Sequence, residues 1–326
     1  METVAFARAF WIIEPGRGEI RDEPLASPGP GELLVRTEFS GISRGTESIV
    51  FGGHVPLSEH ARMRAPFQSG EFPAPLKYGY CSVGVVEGGD PAWAGLRVFV
   101  LYPHQTRYVI PATAAQPLPE DVPPGRAVLA ANMETALNGS WDADPTAADR
   151  VTVIGAGTVG CLVAWIVHTT IGCDVELVDL NPQREAVATA LGVRFAPASS
   201  VSADRTIVIH TSGSEAGLQM ALNLTAADGT IVEMSWFGDR RVSLPLGEAF
   251  HSRRLTIKSS QVGSLPPARR LEWTFQRRMV KALELLAAPA LDVLITGESA
   301  FEDLPEVMPR LATSSGNTLC HRIRYD

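Results

Sequence analysis

Three glycines and one aspartate carry the most specific chemical signal in this chain. Gly155, Gly157 and Gly160 lie in Gly155-Ala156-Gly157-Thr158-Val159-Gly160, and Asp179 follows 19 residues beyond the last of them. In a G-x-G-x-x-G turn the first glycine permits a tight reversal and the second lets backbone N–H groups approach a pyrophosphate. The third lets the next helix pack closely on the preceding strand. A helix opening at Thr158 and Val159 turns its positive end toward the phosphates. An acid about twenty residues further on hydrogen-bonds the adenosine ribose hydroxyls of a dinucleotide. Its charge also repels a 2′-phosphate, so Asp179, with Leu180 beside it, points to NAD in preference to NADP. Arg184 is near enough in sequence to bear on that choice, although its plainer reading is a solvated helix arginine.

These residues need a strand before the turn, a helix after it and a second strand that ends in the acid. Val151–Ile154 is a β-branched apolar run, as in a strand buried on both faces. Val159, Leu162, Val163, Ile166 and Val167 then recur at helical spacing, predicting one apolar face. Val175–Val178 is the second strand. The alternation continues with a helix over Pro182–Leu191, closed by Gly192, and a strand over Thr206–Ile209 that delivers His210-Thr211-Ser212-Gly213. A helix over Glu215–Leu224, a turn at Asp228-Gly229 and a buried strand over Thr230–Met234 follow, the last delivering Ser235. Leu255–Val262 reads as one more strand. Arg269–Leu286 reads as a helix with Trp273, Val280, Leu283 and Ala287 on one side. Ligands of such sheets bind at the carboxyl ends of the strands, which makes Thr211, Ser212 and Ser235 candidate neighbours of a nicotinamide. Each fits an ordinary strand-end turn equally well.

The chain has 326 residues, enough for about two domains. A composition of 45% hydrophobic and 20% charged residues is that of a globular protein, neither disordered nor membrane-resident. A net charge of −8 argues against nucleic acid or an anionic membrane as a partner. The N-terminus carries Glu2 and lacks the basic start of a signal peptide. Cys81, Cys161, Cys173 and Cys320 form no C-x-x-C, so reduced thiols in a cytoplasm are the expectation. A basic cluster, Arg253, Arg254, Lys258, Arg269, Arg270, Arg277, Arg278 and Lys281, reads as a solvated face, with an anion site as the sharper alternative.

The first part of the chain alternates short apolar runs (Val4–Ile13, Leu33–Thr37) with Pro/Gly turns, as β structure does. Residues 51–77 are Pro-rich and irregular, predicting a long surface loop. Strands resume at Cys81–Glu87 and Arg97–Leu101, and Arg126–Trp141 predicts a helix. The tail shows short β signals at Leu319–Tyr325. A β-rich start, an α/β middle and a short β return resemble the medium-chain dehydrogenase/reductase superfamily, the relatives of zinc alcohol dehydrogenase. The segments that carry the resemblance are GISRGTE at 41–47, YGYCSVGVVEGG at 78–89, VFVLYPHQ at 98–105, GAGTVG at 155–160, VDLNPQR at 178–184 and TSGSEAGLQMALNLTAADGTIV at 211–232. GISRGTE is similar to the branch that includes bacteriochlorophyllide dehydrogenases.

The resemblance implies an α/β protein in which a doubly wound, parallel-sheet Rossmann domain (130–275) is inserted in a β-rich, GroES-like catalytic domain (1–129 and 276–326). It also implies paired subunits and a small-molecule substrate. In zinc-bearing relatives the metal polarises the substrate oxygen, but here Ser43 and Tyr80 stand where the motifs carry cysteine and histidine. The third ligand would fall near Ala131-Asn132, and the four-cysteine structural lobe is missing. Glu134 matches a glutamate near the metal in polyol dehydrogenases, yet one carboxylate does not hold zinc. His54, His60 and His104 have no metal spacing. No zinc is therefore expected, and hydride chemistry on a carbonyl then needs another donor for the oxygen. Tyr80 is the leading choice, with Ser43 and Glu47 as a proton path. Tyr102 and His104 line the substrate pocket by resemblance, and Arg44 matches a residue that touches the pyrophosphate. The implied activity is a zinc-independent, NAD-dependent oxidoreductase acting on a carbonyl or secondary alcohol. An NADPH-dependent quinone or enone reductase and a non-catalytic dinucleotide-binding protein are the alternatives.

Overall fold

Runs of β-branched residues separated by Pro/Gly reversals become the strands of the first third of the chain. The computed structural model describes residues 5–313 and 316–326, so Glu2 and Val4 lie outside the described residues. In chain order the strands begin with β1 (Ala5–Glu14), β2 (Arg17–Leu25), β3 (Glu32–Ile42), β4 (Ser69–Gly70) and β5 (Leu76–Lys77). Then come β6 (Ser82–Gly89), β7 (Arg97–Val100), β8 (Arg107–Pro111) and β9 (Gln116–Pro117), with helix α1 (Arg44–Phe51) after β3. Helices α2 (Pro124–Ala127) and α3 (Ala130–Ala143) lead to β10 (Arg150–Ile154), α4 (Thr158–Ile166), β11 (Asp174–Asp179) and α5 (Arg184–Ala190). Strands β12 (Arg194–Pro197) and β13 (Arg205–His210), α6 (Glu215–Leu224), β14 (Thr225–Glu233) and β15 (Thr256–Ser259) follow. The chain closes with α7 (Phe275–Leu285), β16 (Ile295–Ala300), α8 (Leu304–Thr313) and β17 (Cys320–Arg324).

Two compact units result: Met1–Ala131 with Leu283–Pro289 and Ile295–Asp326, and Asn132–Ala282 with Ala290–Leu294. The first, unit 1, holds a sheet of order β2-β1-β5-β4 and a larger one of order β16-β17-β3-β6-β7-β9, with β8 paired to β3. Its core gathers Leu33, Val35, Val86, Val98, Val100, Tyr108 and Ile110. Strand β17 pairs antiparallel with β3, His321 opposite Ile42 and Arg324 opposite Phe39.

Unit 2 holds a parallel sheet of order β12-β11-β10-β13-β14-β15. This is the doubly wound Rossmann order, whose direction reverses beside the first strand. Ile154, Val208, Leu218, Leu222, Ile231 and Leu255 pack together on one side of it. Among the described residues no helix is long and apolar enough to cross a membrane.

Several local expectations change. The predicted helix over 126–141 is two helices, α2 and α3, separated at Val128 and Leu129, both fully buried. Segment 51–77 is not simply a surface loop, because Val55, Phe72, Leu76 and Lys77 are buried and anchor it. Helix α4 is buried from Gly160 to Ile166 on every side rather than along one stripe. Residues 226–229 form no separate turn; they are extra residues within β14, where its register to β13 shifts. The helix predicted from Arg269 starts as α7 at Phe275. Its buried side is Arg278, Met279, Ala282 and Leu283, continued by Leu286 just past its end, whereas Val280 is 40% exposed.

Candidate functional site

In unit 1 the GISRGTE segment turns from the end of β3 into α1, with Ser43 at the helix N-cap. Glu47 lies one turn into α1 and is buried, a position that needs partners. Its Oε1 accepts the Ser43 N–H at 2.7 Å, and its Oε2 meets His104 Nε2 at 2.9 Å. His104 Nδ1 in turn contacts Ser40 Oγ at 2.7 Å, and Ser40 Oγ lies 2.9 Å from the Tyr325 hydroxyl. The result is a buried chain, Glu47–His104–Ser40–Tyr325, drawn from α1, β3, the turn after β7 and the residue after β17.

Tyr80 joins this chain through a hydrogen bond between its hydroxyl and the Ser43 side chain. Its ring is half-buried and edge-on to Tyr78. Burial pushes the Tyr80 hydroxyl well above the ordinary phenol range; Tyr78, Glu47 and Cys81 push the same way, against the Ser43 bond. Burial therefore holds Tyr80 in its neutral, protonated form. Cys81 beside it is also held protonated, by burial first and then by Glu47 and Cys320.

The structure thus brings together Ser43, Glu47, Tyr80 and His104, with Arg44 half-buried on the first turn of the same helix. It does not bring Tyr102 into the chain. That ring stacks on Tyr108 at 3.7 Å between centroids, near Phe67, and burial pushes its hydroxyl up to about 12. Ser40 and Tyr325 were not among the residues singled out from sequence.

In unit 2 the glycine turn links β10 to α4. Gly155 has φ +106°, and a Cβ there would come within 2.7 Å of the Ser212 backbone. A Cβ on Gly160 would fall 1.8 Å from the Gly155 carbonyl oxygen. A Cβ on Gly157, by contrast, would meet open space, which leaves this face of the turn free for a ligand. Thr158 and Val159 open α4 above it. Asp179 ends β11 half-buried, its Oδ2 accepting the Ala156 N–H at 2.7 Å and its Oδ1 the Asn181 N–H at 2.8 Å. The carboxylate is fixed beside the turn. Leu180 next to it is 86% exposed. Arg184 is buried, not solvated, and at the Cys161 thiol its charge opposes that of Asp179.

Thr211, Ser212 and Ser235 gather at the carboxyl ends of β13 and β14. Thr211 Oγ1 donates within reach of the Ile154 and Gly155 carbonyls, at 3.1 and 2.9 Å. Ser235 Oγ accepts the Gly213 N–H at 3.1 Å. Beneath them lies a pair that sequence reasoning missed: His210 Nδ1 is 2.6 Å from Glu233 Oε2, and His210 Nε2 is 2.6 Å from Ser212 Oγ. A histidine and a glutamate each closing an apolar strand, on neighbours in the sheet, was the available signal.

Glu134, on α3, is held by Arg278 of α7, whose Nε donates at 3.1 Å while Nη2 donates to the Val262 carbonyl at 2.6 Å. Arg278 Nη1 also donates to Asn138 Oδ1. Burial pushes the Glu134 carboxyl up, and Arg278 opposes that. The rest of the basic cluster does not converge. Arg253 donates to the Asn223 and Thr225 carbonyls, Arg254 faces Asp228, Lys258 faces Asp142, Arg269 faces Asp144 and Arg270 donates to the Leu265 carbonyl. Reversing Arg269 and Arg270 to glutamate is accordingly expected to change NADH affinity less than about twofold in a calorimetric titration.

No protein-family profile matches the chain. Among curated proteins it is 22% identical to the starvation-sensing protein RspB of Escherichia coli K12, over 79% of this chain and 84% of that one. Among solved structures it superposes on L-idonate 5-dehydrogenase of E. coli K-12 with TM-score 0.80 and 14% identity, covering 99% of each chain. The chain has the medium-chain dehydrogenase/reductase fold. Other structures of this fold include an alcohol dehydrogenase (rspB) from E. coli CFT073 complexed with NADH, at TM-score 0.77, 18% identity and 98% of this chain against 99% of that one. A protein of Sinorhizobium meliloti 1021 named as a zinc-binding dehydrogenase and bound to NADP gives TM-score 0.78 and 16% identity, over 98% and 99%.

Zinc takes thiolate, imidazole or carboxylate ligands. The positions that the sequence resemblance matched to metal ligands carry the Ser43 hydroxyl and a Tyr80 hydroxyl that burial keeps protonated. Nearby, His104 and Glu47 are spent on each other. Among the described residues no three His, Cys, Asp or Glu side chains are grouped to hold a metal ion. Hydroxyls such as those of Ser43 and Tyr80 are not among these ligands.

Proposed function

We propose that this chain is a zinc-independent, NAD-preferring oxidoreductase that moves hydride between a nicotinamide and a carbonyl or secondary alcohol of a small molecule. The observation that carries the reading is Tyr80: a phenol kept neutral by burial, at the position where the fold's zinc enzymes place a metal ligand. A bound nicotinamide supplies or accepts the hydride. In reduction, negative charge grows on the carbonyl oxygen, and Tyr80 meets it as a hydrogen-bond and proton donor. Ser43 orients the Tyr80 hydroxyl, while Glu47 fixes the Ser43 backbone through its N–H. His104 links Glu47 to Ser40 through its two ring nitrogens. Glycines 155, 157 and 160 would hold the pyrophosphate and Asp179 the adenosine ribose, with Arg44 as a further phosphate contact. A cytoplasmic setting and paired subunits belong to the same proposal.

One observation favours a second reading. Arg184 is buried close to the Asp179 end of the site, where an arginine accommodates a 2′-phosphate. An NADPH-dependent quinone or enone reductase would use it so. Calorimetric titration with NADH and, separately, NADPH decides. NADH is expected to bind at least about tenfold more tightly, or about 1.4 kcal/mol. Tighter NADPH would replace the proposal with the second reading. Binding of neither would leave a fold without enzyme function.

A further inference from the structure

Unit 1 contains a cavity of about 520 Å³ that shares no residue with Tyr80 or with the Glu47–Tyr325 chain. Strand β16 lines it with residues 296–299 and helix α8 with Arg310. Thr318, just before β17, and His321, within it, close the other side. A Cβ on Gly297 would fall 2.4 Å from His321 Nδ1, so glycine is what lets the imidazole lie against β16. The ring is buried, and its Nε2 lies 2.9 Å from Ser299 Oγ. Thr296 Oγ1 accepts the Leu319 N–H at 2.7 Å, which leaves its own hydroxyl proton to be donated elsewhere. Thr318 brings a second hydroxyl to the lining.

Charge decides what this lining fits. Among the described residues Glu298 is the one carboxylate on it, and it is already taken: Arg322 Nε donates to Glu298 Oε2 at 2.6 Å, and Arg324 stands 3.9 Å from Oε1. Arg310, on the last turn of α8, has no ion-pair partner among the described residues. Its charge reaches across the cavity. Burial first and Arg310 second hold the His321 ring below its usual value, against Glu298. An unpaired guanidinium and two hydroxyls thus face one space, in a protein whose net charge is −8. The planar fork of an arginine matches the oxygens of a carboxylate or phosphate.

We propose that this cavity binds a small oxyanion, with Arg310 as its counter-charge and Thr296, Thr318 and His321 as hydrogen-bond partners. The site is independent of the dinucleotide reading of unit 2. Inorganic phosphate and succinate, titrated separately into the full chain to about 10 mM, test it, with the His321 ring followed by NMR across a pH series. The ring signal is assigned from its loss in His321→Gln. A bound anion opposes Arg310 at the ring, so the His321 midpoint is expected to rise by about half a pH unit or more. Arg310→Gln, at an exposed position, is expected to weaken the same ligand at least about tenfold. A response to phosphate alone assigns the site to phosphates, and a response to succinate alone assigns it to carboxylates. Equal responses mark an oxyanion site that does not discriminate. An unmoved His321 with both ligands would overturn the proposal, and so would an affinity that Arg310→Gln leaves unchanged.

Discussion

Replacing Tyr80 with phenylalanine is expected to lower turnover about a hundred- to a thousandfold while leaving NADH affinity unchanged. Removing one donor to a developing oxyanion typically costs this much, because no water of equal orientation replaces it. The ring stays, so its packing against Tyr78 survives. Only the hydroxyl and its bond to Ser43 go. Steady-state kinetics with a separate NADH titration makes the check, and full turnover in the variant would remove Tyr80 from the chemistry. The pH dependence adds a second readout. Burial raises the Tyr80 hydroxyl above its ordinary value, so it stays protonated through the range where an exposed phenol ionises. Reduction by the wild-type protein should therefore lose no rate through phenol ionisation at about pH 10.

Arg278→Ala is expected to destabilise unit 2 by about 3–5 kcal/mol, the usual cost of stripping one partner from a buried ion pair. Arg278 and Glu134 are both almost wholly buried, and Arg278 also serves Asn138 and the Val262 carbonyl. The loss should depend on pH. Glu134 has a folded-state value raised above that of the unfolded chain, so its contribution is fully present below the unfolded value of about 4.3 and fades as pH rises through the folded one. Without Arg278, burial acts unopposed and the folded value climbs further. The variant should accordingly lose less stability at about pH 5.5 than at about pH 8. Urea unfolding at the two pH values measures this. A loss below about 1 kcal/mol at both would show that the pair does not hold α3 to α7.

The Rossmann half of the molecule was legible because each of its parts is punctuated locally. Gly155 to Gly160 mark the turn, Val151–Ile154 and Val175–Val178 mark the strands, and Pro182 and Gly192 bracket a helix region. Helix α6 spans Glu215–Leu224 as its sequence predicts, with Ser214 capping it. Burial was harder. A helix such as α4 shows an apolar stripe whether or not its other side is also covered, and the charge of Arg184 says nothing about what packs over it. The buried hydrogen-bond chain of unit 1 was the least legible part. His104 and Ser40 are 64 residues apart, and Ser40 and Tyr325 are 285 apart. Only the antiparallel register of β3 with β17 makes those distances small. The His210–Glu233 pair is closer in sequence, but it too depends on register, since the two residues face each other across β13 and β14.

The pairing of β17 with β3 also inverts the order of synthesis and the order of assembly. A ribosome makes β3 early and β17 some 280 residues later, after all of Asn132–Ala282 has emerged. Unit 2 is almost continuous along the chain and can start to fold as it emerges. Until β17 has been made, the Phe39–Ile42 end of β3, beyond its pairing with β8, lacks that partner, an open edge that invites wrong neighbours. Tyr325 follows β17, so the chain from Glu47 to Tyr325 is completed only after that strand has been made.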